Sequence, residues 1–150
     1  MKTSGYDKMF SGCTGLVTSP KTLPSTTMAN WCYRTMFADC TSLTTAPEIL
    51  VMNASSQQSF NGMFFGCTSL TTAPELPATY LYSAAYDGMF DGCTSLNYVK
   101  CLATNISASN CTRNWLNGVS ATGTFVKDAT MSSWRTGASG IPDGWQVVDA

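Results

Sequence analysis

The chain has 150 residues, of which 11% are charged and 44% are hydrophobic, and its formal net charge is −1. With so few cations it lacks a positive field for phosphates or anionic lipids, which argues against nucleic-acid and membrane-surface partners. No apolar run reaches the roughly 18 residues of a membrane span, and no apolar segment follows the start, so neither membrane insertion nor a secretory signal is expected. Histidine, the commonest general base and metal ligand, is absent from the sequence. We therefore expect a non-catalytic protein without cofactor or metal.

An internal repeat organises the chain. Its most recognisable part is a short segment that begins with an aromatic residue and ends with a cysteine, which is Cys13, Cys40, Cys67 or Cys93. A degenerate further copy follows near residue 112. Self-similarity at a nearly constant spacing is typical of stacked structural units. We assign residues 1–127 to the array, with units starting near residues 6, 33, 60, 86 and 112.

The first predicted element of each unit is a helix. In the first unit Tyr6, Met9, Phe10 and Cys13 lie at i, i+3, i+4 and i+7, the apolar stripe of an α-helix. Two helical turns are marginal alone, so stacking on neighbouring units must stabilise them. The i+4 position predicts one buried ladder formed by Phe37, Phe64 and Phe90.

A turn and a short strand are predicted after each helix. The turn position holds residue types that tolerate a positive φ, namely Gly12, Asp39, Gly66, Gly92 and Gly118. Segments such as 43–48 then show β-branched residues and alternation, which favour one short strand per unit in a parallel sheet. The prolines in these segments lack an amide donor, so each should lie at a strand end or a bulge.

The predicted fold class is an α/β repeat: a short solenoid with one short parallel strand and one short helix per unit of about 26–27 residues. Residues 128–150, rich in Trp and Gly, are predicted to form a C-terminal cap. The first repeat has no such cap, and self-association through it is expected.

The unit from residue 63 to residue 77, Met-Phe-Phe-Gly-Cys-Thr-Ser-Leu-Thr-Thr-Ala-Pro-Glu-Leu-Pro, resembles the BspA-like leucine-rich repeat. Residues 118–127 and 140–145 resemble the C-terminal ending of such proteins in gut anaerobes and their phages. This resemblance implies a short leucine-rich-repeat solenoid. It also implies a bacterial cell-surface adhesion or recognition module that binds a protein or glycan on host or neighbouring cells. Similar arrays in phage structural proteins make a virion or tail component the alternative, and an enzyme is a distant third.

The cysteines and acidic residues have structural interpretations. Cys13, Cys40, Cys67 and Cys93 share one column on the core side, where parallel Cβ vectors are poorly aimed for disulfides, so inert buried thiols are expected. Cys101 aligns with Lys21, Glu48 and Glu75, and is therefore the one candidate for an accessible thiol. A glycosidase pair of Glu48 and Glu75 is the alternative to solvated surface acids, with Lys21 neutralising Glu48.

The predicted binding surface is the open face of the strands. Outward positions repeat every unit and should align their side chains about 4.8 Å apart. Tyr98 interrupts a row of threonines, and an exposed tyrosine is a common interface anchor. The alternative is a threonine row that only keeps the sheet soluble. The partner-binding candidates are Thr45, Thr72, Tyr98, Thr124, Lys21, Glu48 and Glu75.

Overall fold

The computed structural model describes residues 4–23, 28–50, 56–132 and 134–150. Within these ranges the regular strands are β1 (Tyr98–Cys101), β2 (Thr124–Lys127) and β3 (Gln146–Asp149). They form one parallel sheet in the order β1-β2-β3. The units stack in sequence, and we call them repeats 1 to 5. Their turn segments are residues 4–13, 30–40, 57–67, 83–93 and 109–118.

The predicted helix of each unit is wrong, because the described residues contain no helix. Amide groups in the turn segments alternate between two kinds of acceptor. In repeat 2, Met36 N–H donates to Tyr33 O three residues back, at 3.3 Å, whereas Phe37 N–H donates to Met63 O of the next repeat, at 2.9 Å. An α-helix would satisfy both amides locally. Here every second amide bonds to the neighbouring repeat instead.

The physical reason for this error is a period of four. Positive φ recurs at every fourth residue, as at Trp31 (59°), Thr35 (47°) and Asp39 (59°). Apolar residues at i, i+3, i+4 and i+7 fall on one side of a chain of period four as well as on one side of a helix, and so short a segment cannot separate the two periods. A second glycine column, Gly62 and Gly88, carries the signal for the stacked turns, since an interior helical position disfavours glycine.

Stacked aromatic rings form the core of the array. The predicted ladder is confirmed: Phe37, Phe64 and Phe90 are fully buried, with ring centroids 5.6 and 5.4 Å apart. A second ladder runs parallel to it and continues into the C-terminal residues. Its members are Tyr6, Tyr33, Phe60, Tyr86, Trp115 and Trp134.

The prediction of a strand in every unit, and with it the leucine-rich-repeat solenoid, is also wrong. Repeats 1 to 3 contain only isolated bridges in the described residues. The register slips at the prolines: Thr18 pairs with Thr45, but Thr22 pairs with Glu48 and not with Ile49, which the same step would reach. One extra residue on the segment with Pro20 is a bulge, as predicted for these prolines, and it interrupts a regular ladder.

The C-terminal residues lie over repeat 5. Trp134 stacks on Trp115 at 5.6 Å, and Trp115 Nε1–H donates to Gly140 O at 2.8 Å. Strand β3 pairs along β2, so this segment also extends the sheet.

Candidate ligand-binding surface

The strand side of the stack carries most of the predicted row. Thr18 lies beside Thr45, and Thr72 lies beside Tyr98, which pairs in turn with Thr124. Thr45, Thr72 and Tyr98 are exposed, and Thr124 is half-buried. The row is therefore present in two parts, one from Thr18 to Thr45 and one from Thr72 to Thr124. No bridge joins Thr45 to Thr72 in the described part of the chain.

The interruption is a seam between repeats 2 and 3. At the junction before it, Thr44 N–H donates to Val17 O at 2.9 Å, and Ser19 N–H donates to Thr45 O at 3.2 Å. At the junction after it, the equivalent bonds are Asn97 N–H to Thr71 O (2.9 Å) and Ala73 N–H to Tyr98 O (2.9 Å).

Across the seam these bonds are missing. Among the described residues no backbone hydrogen bond joins segment 43–50 to segment 70–77. The turn segments of the same two repeats remain bonded, as in Phe37 N–H to Met63 O. The two repeats are thus joined on the turn side and separated on the strand side.

The separation creates an apolar groove of about 320 Å³, a volume within the range of small-ligand sites. We call it the seam groove; its lining residues are Ala46, Pro47, Glu48, Ile49, Leu50, Pro74, Glu75 and Pro77. A smaller recess of about 200 Å³ continues it between Thr45 and Thr72. Leu50 is 56% exposed, which places a large apolar side chain in contact with water at this site.

Two carboxylates lie at the groove. Glu75 forms an ion pair with Lys100 at 3.0 Å, and Glu48 has no ion-pair partner among the described residues. Lys21 is exposed and meets repeat 2 through its backbone, since Glu48 N–H donates to Lys21 O at 2.8 Å. The predicted neutralisation of Glu48 by the Lys21 side chain is therefore absent, and the compensated carboxylate is Glu75.

Cys101 is not an accessible thiol, contrary to the prediction. The register slip pairs Cys101 with Leu76 instead of Glu75, and this turns the thiol into the core, where it is fully buried. Burial raises the pKa of Cys101 from 9.0 to about 12.

The other column cysteines have a structural role. The Sγ–H groups of Cys40, Cys67 and Cys93 donate to backbone carbonyls of the preceding repeat at 3.0 to 3.1 Å. Burial raises the pKa of Cys93 to about 12. Cys13 is exposed, unlike the rest of its column, because it lies in the first described repeat.

The turn side presents charged pairs. Arg34 donates to Asp7 at 2.7 Å, and Arg113 donates to Asp87 at 2.6 Å. The hydrogen bonds from Arg34 hold the pKa of Asp7 below its ordinary value. These pairs join adjacent repeats. The recess of about 380 Å³ beside Asp87 and Arg113 is also lined by Lys8 and Asp39, which have no ion-pair partner among the described residues.

Sequence reasoning missed the seam groove. The segments that flank it, residues 44–48 and 71–75, have the identical sequence Thr-Thr-Ala-Pro-Glu. A local pattern that is the same on both walls cannot indicate whether the walls are bonded or apart. The apolar residues Ile49 and Leu50, just after one of these segments, are a local signal of an apolar opening.

Comparison with family models, with curated proteins and with solved structures finds no match for this chain. The described residues include no helix that could cross a membrane. They also include no group of three or more metal-ligating side chains.

Proposed function

We propose that the chain is a non-catalytic adhesion or recognition module of a bacterial cell-surface protein, related to BspA-like proteins, that binds a protein or glycan ligand through its strand side. The observation that carries the proposal is the seam groove, an apolar opening within a row of exposed polar side chains. Tyr98, 36% exposed and one repeat away from the groove, supplies the amphipathic ring that interfaces favour.

The carboxylates support binding over catalysis. Glu48 and Glu75 are both exposed, and Glu75 is already paired with Lys100. A glycosidase acid needs a raised pKa from an apolar, dehydrated setting. An exposed pair at the rim of a groove is better suited to contacting a charged group of a ligand.

A binding screen with matched variants tests this function. The purified chain is measured by biolayer interferometry against host matrix proteins and a glycan panel, together with Tyr98→Thr and the control Phe65→Thr. Phe65 is also exposed, at 43%, but it lines the turn-side recess. We expect Tyr98→Thr to weaken binding by about 1 kcal/mol or more, roughly the threshold for an important interface residue. A ligand lost with Phe65→Thr and retained with Tyr98→Thr would place the site on the turn side.

A second candidate is a structural component of a phage virion or tail. In repeat 1, the carbonyl oxygens of Gly5, Asp7, Met9 and Ser11 have no donor among the described residues, although the equivalent carbonyls of repeats 2 to 5 accept bonds from the preceding repeat. This row of acceptors fits a neighbouring chain that donates N–H groups. Residues 134–150 lie over the last repeat, which favours a different chain over head-to-tail stacking of identical copies. Sedimentation of the chain alone and with tail proteins encoded beside it separates this candidate from the first.

A further inference from the structure

The strand segments on either side of the seam carry backbone groups whose equivalents are bonded at the neighbouring junctions. By the repeat, Ala46 N–H and Thr71 N–H correspond to the amides of Ser19 and Thr44, which donate across their junction. Ala46 and Thr71 donate to no acceptor in the described residues, and the carbonyls of Thr44 and Thr72 accept no bond there. Donors and acceptors therefore remain available on both sides of the seam: Ala46 lines the groove, and Thr44 and Thr72 line the recess that continues it. An extended chain pairs with such groups.

The lining also selects against carbohydrate in the groove itself. Among the described residues that line it, the polar side chains are Glu48 and Glu75, and the remainder are alanine, proline, isoleucine and leucine. Apart from the two carboxylates, these side chains offer no hydrogen-bond partner to the hydroxyl groups of a sugar, and each unsatisfied hydroxyl is costly. An aliphatic side chain, in contrast, gains favourable free energy when it leaves water and packs against such a lining.

The charge at the rim favours a basic group. Glu48 is exposed and has no ion-pair partner in the described residues, and Glu75 shares a half-exposed pair with Lys100. The two carboxylates belong to equivalent positions of the two walls, so a cation on a bound chain meets one or both of them.

On these observations we propose that the seam groove binds an extended peptide segment that places an aliphatic side chain among Pro47, Pro74 and Pro77 and a lysine or arginine beside Glu48. The inference rests on the proposed recognition function and names the class of partner. The peptide backbone pairs with the N–H group of Ala46 and with the carbonyl oxygen of Thr44 or Thr72, as a strand added to a sheet edge does.

Fluorescence anisotropy with defined peptides tests the inference. The probe is an end-blocked, labelled octapeptide of alternating valine and lysine; its comparison peptides replace lysine with serine or with glutamate. The protein variants are Ala46→Trp, which fills the groove, and the double variant Glu48→Gln with Glu75→Gln. Asp143→Asn is the matched control, because Asp143 is an exposed carboxylate outside the groove lining. Thermal unfolding monitored by circular dichroism confirms that each variant is folded.

We expect the lysine peptide to bind the parent, and the double glutamine variant to weaken it by about tenfold, the combined effect of two rim ion pairs. Ala46→Trp should abolish binding, and Asp143→Asn should leave it unchanged. If Ala46→Trp does not fold, the double variant alone decides. Equal binding of the serine peptide, no binding of any peptide, or concentration-dependent self-association that Ala46→Trp abolishes overturns the inference. A matrix protein or glycan that requires Tyr98 but tolerates Ala46→Trp would overturn it while leaving the proposed function intact.

Discussion

Asp39 and Gly66 occupy equivalent positions in adjacent repeats, and a Cβ atom built on Gly66 would lie 2.5 Å from Oδ1 of Asp39. Both residues have positive φ, 59° at Asp39 and 69° at Gly66. The single acidic residue in the glycine column is thus accommodated because the next repeat has glycine at that position. Relief of strain at one position therefore depends on the residue at the other.

This relationship predicts a coupled pair of substitutions. Asp39→Gly should raise the free energy of unfolding by about 0.5 to 1 kcal/mol. A left-handed conformation costs an L-residue roughly 1 to 2 kcal/mol, and the larger conformational entropy of glycine in the unfolded chain offsets part of the gain from removing this cost. Gly66→Ala should lower it by about 1 to 3 kcal/mol in the parent, and by less with Asp39→Gly present. Urea titration of the four proteins measures the coupling. Additivity within about 0.3 kcal/mol would show that the two residues do not interact.

Truncation of the central ring of the phenylalanine ladder should be among the most damaging changes. Phe64 is fully buried between Phe37 and Phe90, so Phe64→Ala should lower the free energy of unfolding by about 3 to 5 kcal/mol. The neighbouring Phe65, 43% exposed, is the control, and Phe65→Ala should change it by less than about 0.5 kcal/mol. Denaturant unfolding of both variants checks the difference. A loss below about 1 kcal/mol for Phe64→Ala would contradict its assignment to the core.

Removal of the Tyr86 hydroxyl should stabilise the protein. Tyr86 is fully buried, and its hydroxyl has no hydrogen-bond partner among the described residues. A buried unsatisfied polar group costs about 1 to 3 kcal/mol, so Tyr86→Phe should raise the free energy of unfolding by about 1 kcal/mol. Thermal and urea unfolding measure the sign of this change in the free energy of unfolding. Tyr82→Phe is the control, since Tyr82 is 42% exposed and its hydroxyl group can be hydrated. Destabilisation by Tyr86→Phe would mean that the hydroxyl has a partner in solution.

Stability should fall steeply at alkaline pH. Burial raises the pKa of Cys93 and of Cys101 from 9.0 to about 12. Because the folded-state pKa is the higher one, the contribution of each thiol is fully present below pH 9 and is lost as the pH rises towards 12. Each thiol contributes a slope of about 1.4 kcal/mol per pH unit in that window.

A variant isolates the contribution of one thiol. Cys101→Ala should lower stability at neutral pH through the small cavity it leaves, but its stability should fall less steeply above pH 9. Urea titrations from pH 7 to pH 11 compare the two slopes. Parallel curves for parent and variant would show that Cys101 is already exposed to solvent or ionised when folded.

The sequence predicted the core better than the backbone. The buried ladder of Phe37, Phe64 and Phe90 and the positive φ of the glycine column are both present in the structure. These features depend on which residue types recur at one register, and this can be read directly from aligned repeats. The helix was wrong because the same apolar spacing fits a chain of period four, whose amides bond to carbonyls of the adjacent repeat.

The sequence likewise predicted only part of the candidate site. The sequence placed Thr72, Tyr98 and Thr124 on one exposed row, and these residues pair in register. It misplaced Cys101, because a one-residue bulge at a proline moves every later side chain to the opposite side of the segment. Such a slip does not change the spacing between repeats in the sequence, so the spacing could not reveal it.

By itself the sequence determined the repeat, the aromatic ladder of the core and the pairing of Thr72, Tyr98 and Thr124 in the polar row outside. Only the tertiary structure decided how the backbone runs and where the stack opens. Burial of the ladder rings follows from the residue type that recurs at one position of the repeat. The hydrogen-bond partner of an amide depends on how two whole repeats pack against each other. The identical segments 44–48 and 71–75 make this concrete: each is bonded to its outer neighbour, and they are not bonded to each other.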